Sequence, residues 1–339
     1  MKSYLSESVV REALAAVLDL SRIESLSIGA DGNVLFLITA DPGEGPAMED
    51  TRQHAESAVA ALRGVSKVTA ILTAEKQPAP DEAPDPHGMR KNPRLTLAAK
   101  RVIAIASGKG GVGKSTLAYN IAAALARAGQ RVGLLDADIY GPSVPLLSGL
   151  QGQKPEQQDG KIVPLEAHGI KIMSIGFMVD ADKALIWRGP MVQSALYQML
   201  RDTRWAAEGD MLDVLIIDMP PGTGDAQLTL AQKVPVTGAV IVSTPQDLAL
   251  IDARKAIQMF AQTEVSVLGL VENMSTHICS RCGHEEHIFG HGGAEREAAR
   301  IGVPFLGSVP LSLTIREAAD AGRPSDNTVF DEIAARLIR

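Results

Sequence analysis

The sequence predicts an α/β fold with a mainly parallel sheet and helices on both faces, preceded by a small α+β domain. Short apolar runs alternate with helical segments through the later part of the chain, an order that is typical of parallel sheets. A proline-rich stretch separates this part from a shorter region at the start. A glycine-rich loop follows the first apolar run of the later part, where a strand gives way to a helix.

Residues 1–76 are predicted to form the small domain, with the element order α-β-β-α-β. Its first helix is indicated by apolar residues at helical spacing: Val10, Leu14, Val17 and Leu18. The other predicted elements are a hairpin that turns at residues 31–32 between strands near 26–28 and 34–38, a helix over 47–63 and a strand over 65–72.

Residues 77–97 are predicted to be a linker, because five prolines lie there among charged and small residues. The second domain then covers residues 98–339. Its last helix is predicted to pack on the sheet through Phe330, Ile333 and Leu337, which lie on one face. Its predicted strands are 102–106, 132–135, 170–175, 214–217, 239–242, 267–271 and 305–309.

Residues 108–115 read Gly-Lys-Gly-Gly-Val-Gly-Lys-Ser, the complete pattern of a phosphate-binding loop. Backbone N–H groups in such a loop surround an oxyanion, and the N-terminus of the following helix adds positive charge. The pattern predicts a P-loop NTPase that binds ATP or GTP, with Lys114 on the β- and γ-phosphates and the Ser115 hydroxyl on Mg²⁺. The predicted loop contacts are Gly108, Lys109, Gly110, Gly111, Val112, Gly113, Lys114, Ser115 and Thr116.

Two acidic motifs follow later strands, where a carboxylate faces the ligand crevice of an open α/β sheet. Asp138, in the run 136–143, is the candidate for orienting an attacking water. Asp218 opens the run 218–225 and has the position of a Walker B aspartate that holds Mg²⁺ and leads into a switch loop. Either aspartate alone is also compatible with a helix cap or a turn.

Charge and hydropathy exclude several partners. The 339 residues carry a formal net charge of −7 and form no long basic face, so nucleic acid is not an expected partner. No apolar run is long enough to span a membrane, and the first residues lack the apolar core of a signal peptide. The sequence therefore predicts a cytoplasmic protein with no membrane partner.

Cys279 and Cys282 form one Cys-x-x-Cys, and they are the two cysteines of the chain. With His284 and His287 they could make a tetrahedral zinc site, or they could act as a dithiol redox pair. A third interpretation uses symmetry, since a [4Fe-4S] cluster takes four thiolates and two copies of the chain supply four. The nearby histidines, including His291, are more often surface residues than ligands.

The additional lysine in the loop, Lys109, resembles the deviant loop of the MinD/ParA-like ATPases. In that superfamily this lysine contacts the nucleotide of the partner subunit in a face-to-face dimer, so the resemblance implies an ATP-dependent homodimer. A closer resemblance is to the Mrp/ApbC-type iron-sulfur cluster carriers. It rests on the loop, the Cys-x-x-Cys and the runs 136–143, 187–191, 218–225 and 271–275.

This resemblance implies an ATPase that hydrolyses ATP slowly, holds a [4Fe-4S] cluster across a homodimer and transfers it to apo iron-sulfur proteins. It implies that these apo-proteins and the cluster assembly machinery are its partners. It implies that Lys109 and Asp138 support hydrolysis across the dimer and that Asn273 contacts the adenine. Residues 1–76 resemble a small metal-sulfur cluster assembly domain but lack its cysteine, which favours a docking role. A MinD/ParA-like positioning ATPase and an electron donor resembling the nitrogenase iron protein remain the alternatives.

Overall fold

The computed structural model describes residues 6–29, 32–40, 45–74, 95–178 and 189–338. The chain divides into two units, Met1–Gly88 and Met89–Arg339. Among the described residues, no helix is long and apolar enough to cross a membrane.

The smaller unit is a three-stranded sheet with two helices. In its sheet β2 is central, and it pairs antiparallel with β1 and parallel with β3. Its core joins Val10 and Leu14 of the first helix to Phe36 of the central strand and Val59 of the second helix. The elements are α1 (Glu7–Ala15), β1 (Ile23–Ile28), β2 (Asn33–Ala40), α2 (Gly45–Ala60) and β3 (Lys67–Ala74).

The larger unit is built on an eight-stranded sheet in the order β15-β12-β11-β4-β10-β5-β9-β8. All neighbours pair in parallel except the edge strand β8, which is antiparallel to β9. This confirms the predicted mainly parallel sheet. The strands are β4 (Ala99–Ala106), β5 (Val132–Asp136), β8 (Leu165–Ala167), β9 (Ile170–Ser174), β10 (Leu212–Asp218), β11 (Gly238–Ser243), β12 (Val267–Asn273) and β15 (Phe305–Val309).

Two short hairpins lie outside this sheet: β6 (Gln157–Gln158) with β7 (Lys161–Ile162), and β13 (His277–Ile278) with β14 (Glu285–Glu286). The second one carries the cysteines. The helices of the larger unit are α3 (Lys114–Arg127), α4 (Val144–Leu147), α5 (Gly189–Asp202), α6 (Asp225–Lys233), α7 (Asp247–Gln262), α8 (Gly293–Ile301), α9 (Leu313–Asp320) and α10 (Val329–Leu337).

Helices cover both faces of the sheet. Successive strand residues point to opposite sides, so each strand contributes side chains to both cores. In β4, Val102 and Ala104 face a core shared with α5, α6, α7 and α8. The alternate residues Ile103 and Ile105 face a second core, shared with α3, α4, α9 and α10. The predicted packing of Phe330, Ile333 and Leu337 is observed in this second core. Continuous burial on both sides explains why the strands read as unbroken apolar runs.

The start of the larger unit lies within the stretch predicted to be a linker. Leu95 and Leu97 are buried in the first core, and the Leu95 amide donates to the Lys233 carbonyl at 3.0 Å. Residues 77–94 of that stretch lie outside the described residues.

Candidate nucleotide site and cysteine hairpin

The glycine loop runs from the end of β4 into α3 along a path that excludes side chains at two positions. An added Cβ at Gly108 would lie 2.0 Å from the Asp252 carbonyl oxygen. Gly113, with φ of 82°, is the residue immediately before α3, and a Cβ there would lie 2.1 Å from the Asn273 amide nitrogen. Glycine is therefore required for packing as well as for backbone conformation.

The Lys114 ammonium lies among carboxylates at the end of the sheet. The side chain is only 6% exposed, and Nζ lies 2.5 Å from Asp218 Oδ1 and 4.0 Å from Asp138 Oδ2. Nζ is also 3.3 Å from the Ser115 hydroxyl. The structure thus brings together the lysine, serine and two aspartates that were predicted from separate motifs.

Burial raises the pKa of Asp218 and of Asp138 above the ordinary value for a carboxyl group, and the Lys114 charge partly offsets this. Asp218 is fully buried, and its Oδ2 has no hydrogen-bond partner among the described residues. A buried carboxylate oxygen that accepts no hydrogen bond is free to ligate a cation, and the Ser115 hydroxyl lies in the same site. Mg²⁺ prefers such oxygen ligands, so these residues fit the predicted cation.

Asp136 is a buried residue of this site whose role the sequence did not single out. It pairs with Asp218 across β5 and β10, and burial together with the Asp218 charge raises its pKa to about 7. Its carboxylate accepts from the amides of Asp138 and Val144 at 3.1 and 3.2 Å and from the Ser174 hydroxyl at 3.0 Å. Asp136 therefore fixes the loop that carries Asp138.

The loop after Asp218 is held by a second residue that sequence reasoning missed. Gln227, which is buried, donates through Nε2 to the carbonyls of Pro220 and Pro221. The Gly222 amide donates to the Ser107 carbonyl at 3.0 Å, which joins this loop to the phosphate loop. A glutamine two residues into a helix carries no distinctive sequence signal.

Two adjoining cavities open beside the glycine loop. The first, of about 260 Å³, is lined by polar loop residues together with Asp138 and Ser143. The second, of about 340 Å³, is mostly apolar and includes Asn273, whose Nδ2 donates to the Val112 carbonyl at 2.8 Å. Both cavities include Gly113 and Thr116, so one elongated ligand can occupy both.

Lys109 lies at the outer side of the loop and is half-buried. Its carbonyl accepts from the Ser107 hydroxyl at 2.9 Å. Within the described part of the chain, its ammonium makes no ion pair.

The cysteines lie on the β13–β14 hairpin, which begins four residues after β12 ends at Asn273. The Cys279 amide donates to the His284 carbonyl and the Gly283 amide to the Cys279 carbonyl, both at 2.9 Å. Hydrogen bonds from the backbone amides of Arg281 and Cys282 lower the pKa of the Cys279 thiol. Both cysteines are free thiols, and Cys282 is exposed. The turn therefore stabilises the thiolate that metal ligation requires.

The histidines predicted as alternative ligands do not gather around the thiols. The rings of His287 and His291 contact each other with centroids 4.3 Å apart, and His284 lies 3.9 Å from a Glu286 oxygen. Among the described residues, no three His, Cys, Asp or Glu side chains are placed to hold a metal ion. Trp187 and Arg188, of the predicted run 187–191, lie outside the described residues, and Gly189 begins α5.

Fold and site together define a P-loop NTPase. Its cysteine hairpin follows β12 at the same end of the sheet, the carboxyl ends of the parallel strands, as the phosphate loop that follows β4. The chain belongs to the ParA family described as NUBPL iron-transfer P-loop NTPases, whose model matches residues 98–338. The family resemblance drawn from the sequence is thereby confirmed.

Curated relatives agree. The chain is 57% identical over 236 residues to the iron-sulfur cluster carrier protein of Escherichia coli K12, a match that covers 69% of this chain and 63% of that one. It thus spans less than two thirds of that relative. It is 45% identical over 318 residues to the iron-sulfur cluster carrier protein of Synechocystis, covering 92% of this chain and 86% of the relative.

Among solved structures, the fold is similar to a nucleotide-binding protein from Archaeoglobus fulgidus in complex with ADP. The TM-score is 0.59 and the identity 40%, over 67% of this chain and 88% of that one.

Proposed function

We propose that this protein is an ATP-binding and ATP-hydrolysing iron-sulfur cluster carrier. Two copies would hold one [4Fe-4S] cluster between them and transfer it to apo iron-sulfur proteins. The observation that carries the proposal is the placement of a thiolate-stabilising Cys-x-x-Cys turn beside a complete phosphate loop, at one edge of one sheet. Membership of an iron-transfer NTPase family supports it.

In this proposal ATP lies along the two cavities, with its phosphates on the loop. Lys114, which lies against Asp218 and lines the polar cavity, would turn to the β- and γ-phosphates, because charge-assisted hydrogen bonds to phosphate oxygens are strong. Ser115 and Asp218 would hold Mg²⁺, which when bound offsets charge that develops on the transferring phosphoryl group. Asn273 borders the apolar cavity, where the adenine would lie.

Hydrolysis is assigned to two residues on the open side of the site. Asp138 is the carboxylate of the polar cavity that lies nearest to solvent, and it would orient the attacking water. Lys109 would reach the nucleotide of the second copy and supply positive charge in trans. ATP binding and slow hydrolysis would change the relative orientation of the two subunits. Because both subunits bind the cluster, this change would alter how tightly the cluster is bound.

The cluster is the cargo, and the cysteines are its ligands. One chain offers two thiolates and a [4Fe-4S] cluster takes four, so two-fold symmetry completes the set. We place the carrier in the cytoplasm, with apo-proteins and the cluster assembly machinery as partners. The smaller unit would dock such partners.

The test is anaerobic reconstitution with iron and sulfide of three proteins: wild type, Cys282→Ser and Ser280→Ala. Ser280 is an exposed residue of the same turn and serves as the matched control. Cys282→Ser is expected to lose the brown chromophore and its iron, since the change removes two of four ligands from a shared site. Ser280→Ala should retain both. A Cys282→Ser protein that keeps its cluster would refute the site.

A further inference from the structure

The segment that leads into the cysteine hairpin lines the apolar cavity. Asn273 and Met274 line the cavity, and the chain continues from them directly into β13 of the hairpin. The cavity is also lined by residues 309–312, which begin at the last residue of β15, the strand that pairs with β12 and places Val309 beside Asn273. A ligand in this cavity therefore contacts both the strand end that leads into the hairpin and the end of the neighbouring strand.

Hydrogen bonds join the base of the hairpin, residues 275–277, to residues 309–311 at the end of the neighbouring strand. The amide and the hydroxyl of Ser275 both donate to the Val309 carbonyl, at 3.0 and 3.1 Å. The Leu311 amide donates to the Thr276 carbonyl at 2.8 Å. His277 Nδ1 lies 3.2 Å from the Leu311 carbonyl, which it reaches as a donor in the Nδ1–H tautomer.

The junction between cavity and hairpin is fixed on both sides. Met274 has a φ of 55°, a left-handed conformation that a non-glycine residue keeps only when its surroundings hold it. The Asn273 side chain bonded to the Val112 carbonyl secures one flank, and the buried Ser275 secures the other. Beyond this base, residues 280–288 are exposed, so the orientation of the hairpin depends on the base.

We propose that Ser275 and His277 are positioning residues that couple nucleotide binding to the cluster ligands. Filling of the cavity by the nucleoside part of a nucleotide would shift residues 309–311, and the hydrogen bonds to Ser275 and His277 would carry this shift to Cys279 and Cys282. The inference rests on the proposed function. Because binding free energies are reciprocal, cluster loading would change nucleotide affinity by the same factor.

The first test uses the full chain without a cluster, so it does not depend on cluster binding. Amide hydrogen exchange is measured with and without Mg²⁺ and a non-hydrolysable imido analogue of ATP. In the wild type, the analogue should slow exchange in 309–312 and also in 275–287. The double variant Ser275→Ala, His277→Leu removes the two side-chain hydrogen bonds and keeps the two backbone ones, so protection should remain in 309–312 and be reduced in 275–287. Equal protection of the hairpin in both proteins would overturn the proposal.

The second test measures the rate of iron loss from the reconstituted protein to a chelator, with and without the same analogue. The wild-type rates should differ by at least about fivefold, the lower end of ordinary couplings, and the double variant should have a clearly smaller ratio. His277→Leu alone, which leaves Ser275 in place, should give an intermediate ratio. An unchanged ratio in the double variant would contradict the coupling.

The matched control is Thr263→Val, which removes a hydroxyl bonded to the Met259 and Phe260 carbonyls within α7, away from the cavity. It should keep the wild-type ratio and the wild-type exchange pattern. A wild type that takes up no cluster would refute the proposed function. It would not refute the coupling between the nucleotide cavity and the hairpin, because the exchange experiment still reports on that coupling.

Discussion

At the residue scale, the two lysines of the phosphate loop have different environments and should have different roles. Lys114 is buried between Asp218 and Asp138, whereas Lys109 is half-buried at the rim of the loop. The first is part of the charge balance inside one chain. The second is the residue that we propose reaches the nucleotide of a second chain.

Lys114→Ala should weaken nucleotide binding by roughly 10- to 100-fold, because a hydrogen bond to a charged group contributes about 1.5–3 kcal/mol. It should also lower the thermal midpoint of the free protein, since Asp136 and Asp218 then lose the cation beside them. Nucleotide titration and thermal unfolding check the two effects. Undiminished affinity would remove Lys114 from the phosphate site.

Lys109→Ala should leave nucleotide binding partly intact while it strongly lowers the rate of hydrolysis, because the trans charge stabilises the transition state more than the ground state. Phosphate release measured at saturating ATP checks this. Wild-type turnover by this variant would exclude the trans role.

Sequence reasoning reached these residues because a phosphate and its cation demand fixed residue types at fixed spacing. It did not reach Asp136 as a loop anchor, because Ser174 comes beside that carboxylate only through the register of β5 and β9, and the Val144 amide only through the path of the loop into α4. Gln227 was missed because its acceptors are loop carbonyls, whose positions no sequence pattern gives.

At the element scale, the sheet was predictable and its small additions were not. The central strands are buried on both faces, and such strands are written as unbroken apolar runs. Strand β8 is three residues long at an edge, and β13 and β14 have two residues each, too short for any periodicity to appear. The cysteine pair was therefore identified from the sequence, whereas the hairpin that carries it was not predicted.

Helices α7 and α8 are joined by one charged cluster. Glu297 of α8, 5% exposed, accepts from Arg254 of α7 at 2.7 and 3.0 Å and from Arg300 at 2.6 Å. Hydrogen bonds from Arg300 and Arg254 lower the pKa of Glu297 to about 2. The helix that follows the cysteine hairpin is thus fixed to the helix that packs on the phosphate loop.

This cluster predicts an acid-dependent loss of stability. A carboxyl whose pKa is lowered in the folded state stabilises the protein above its unfolded pKa, and the effect is lost as pH falls from about 4.5 to about 2. Glu297→Gln should therefore be less stable than the wild type near pH 6, and the difference should shrink with acidification. Urea unfolding across this range checks it. A difference that stays constant with pH would contradict the assignment.

At the scale of the whole molecule, the chain consists of two units with separate cores, and each functional motif lies in the second. Leu95 and Leu97 belong to the core of that second unit. A truncated protein should therefore start at residue 95, so that both leucines are kept.

Deletion of residues 1–94 should leave a folded protein that binds nucleotide and takes up a cluster, because both core clusters of the larger unit, as far as the structure describes them, consist of residues from 95 onward. Transfer to particular acceptors should be slower, as expected if the first unit docks partners. Circular dichroism, nucleotide titration and reconstitution check the fragment. An insoluble fragment, or one without nucleotide affinity, would show that the units are not independent.

The central claim is that one cluster is shared between two copies of this chain. Native mass spectrometry of the anaerobically reconstituted wild type tests it most directly, because it reports the number of chains and of metal atoms in one particle. The account predicts two chains with four iron and four sulfide atoms, as one [4Fe-4S] cluster with two thiolates from each chain requires. A complete cluster on a single chain, or one zinc ion per chain that survives reconstitution, would contradict it.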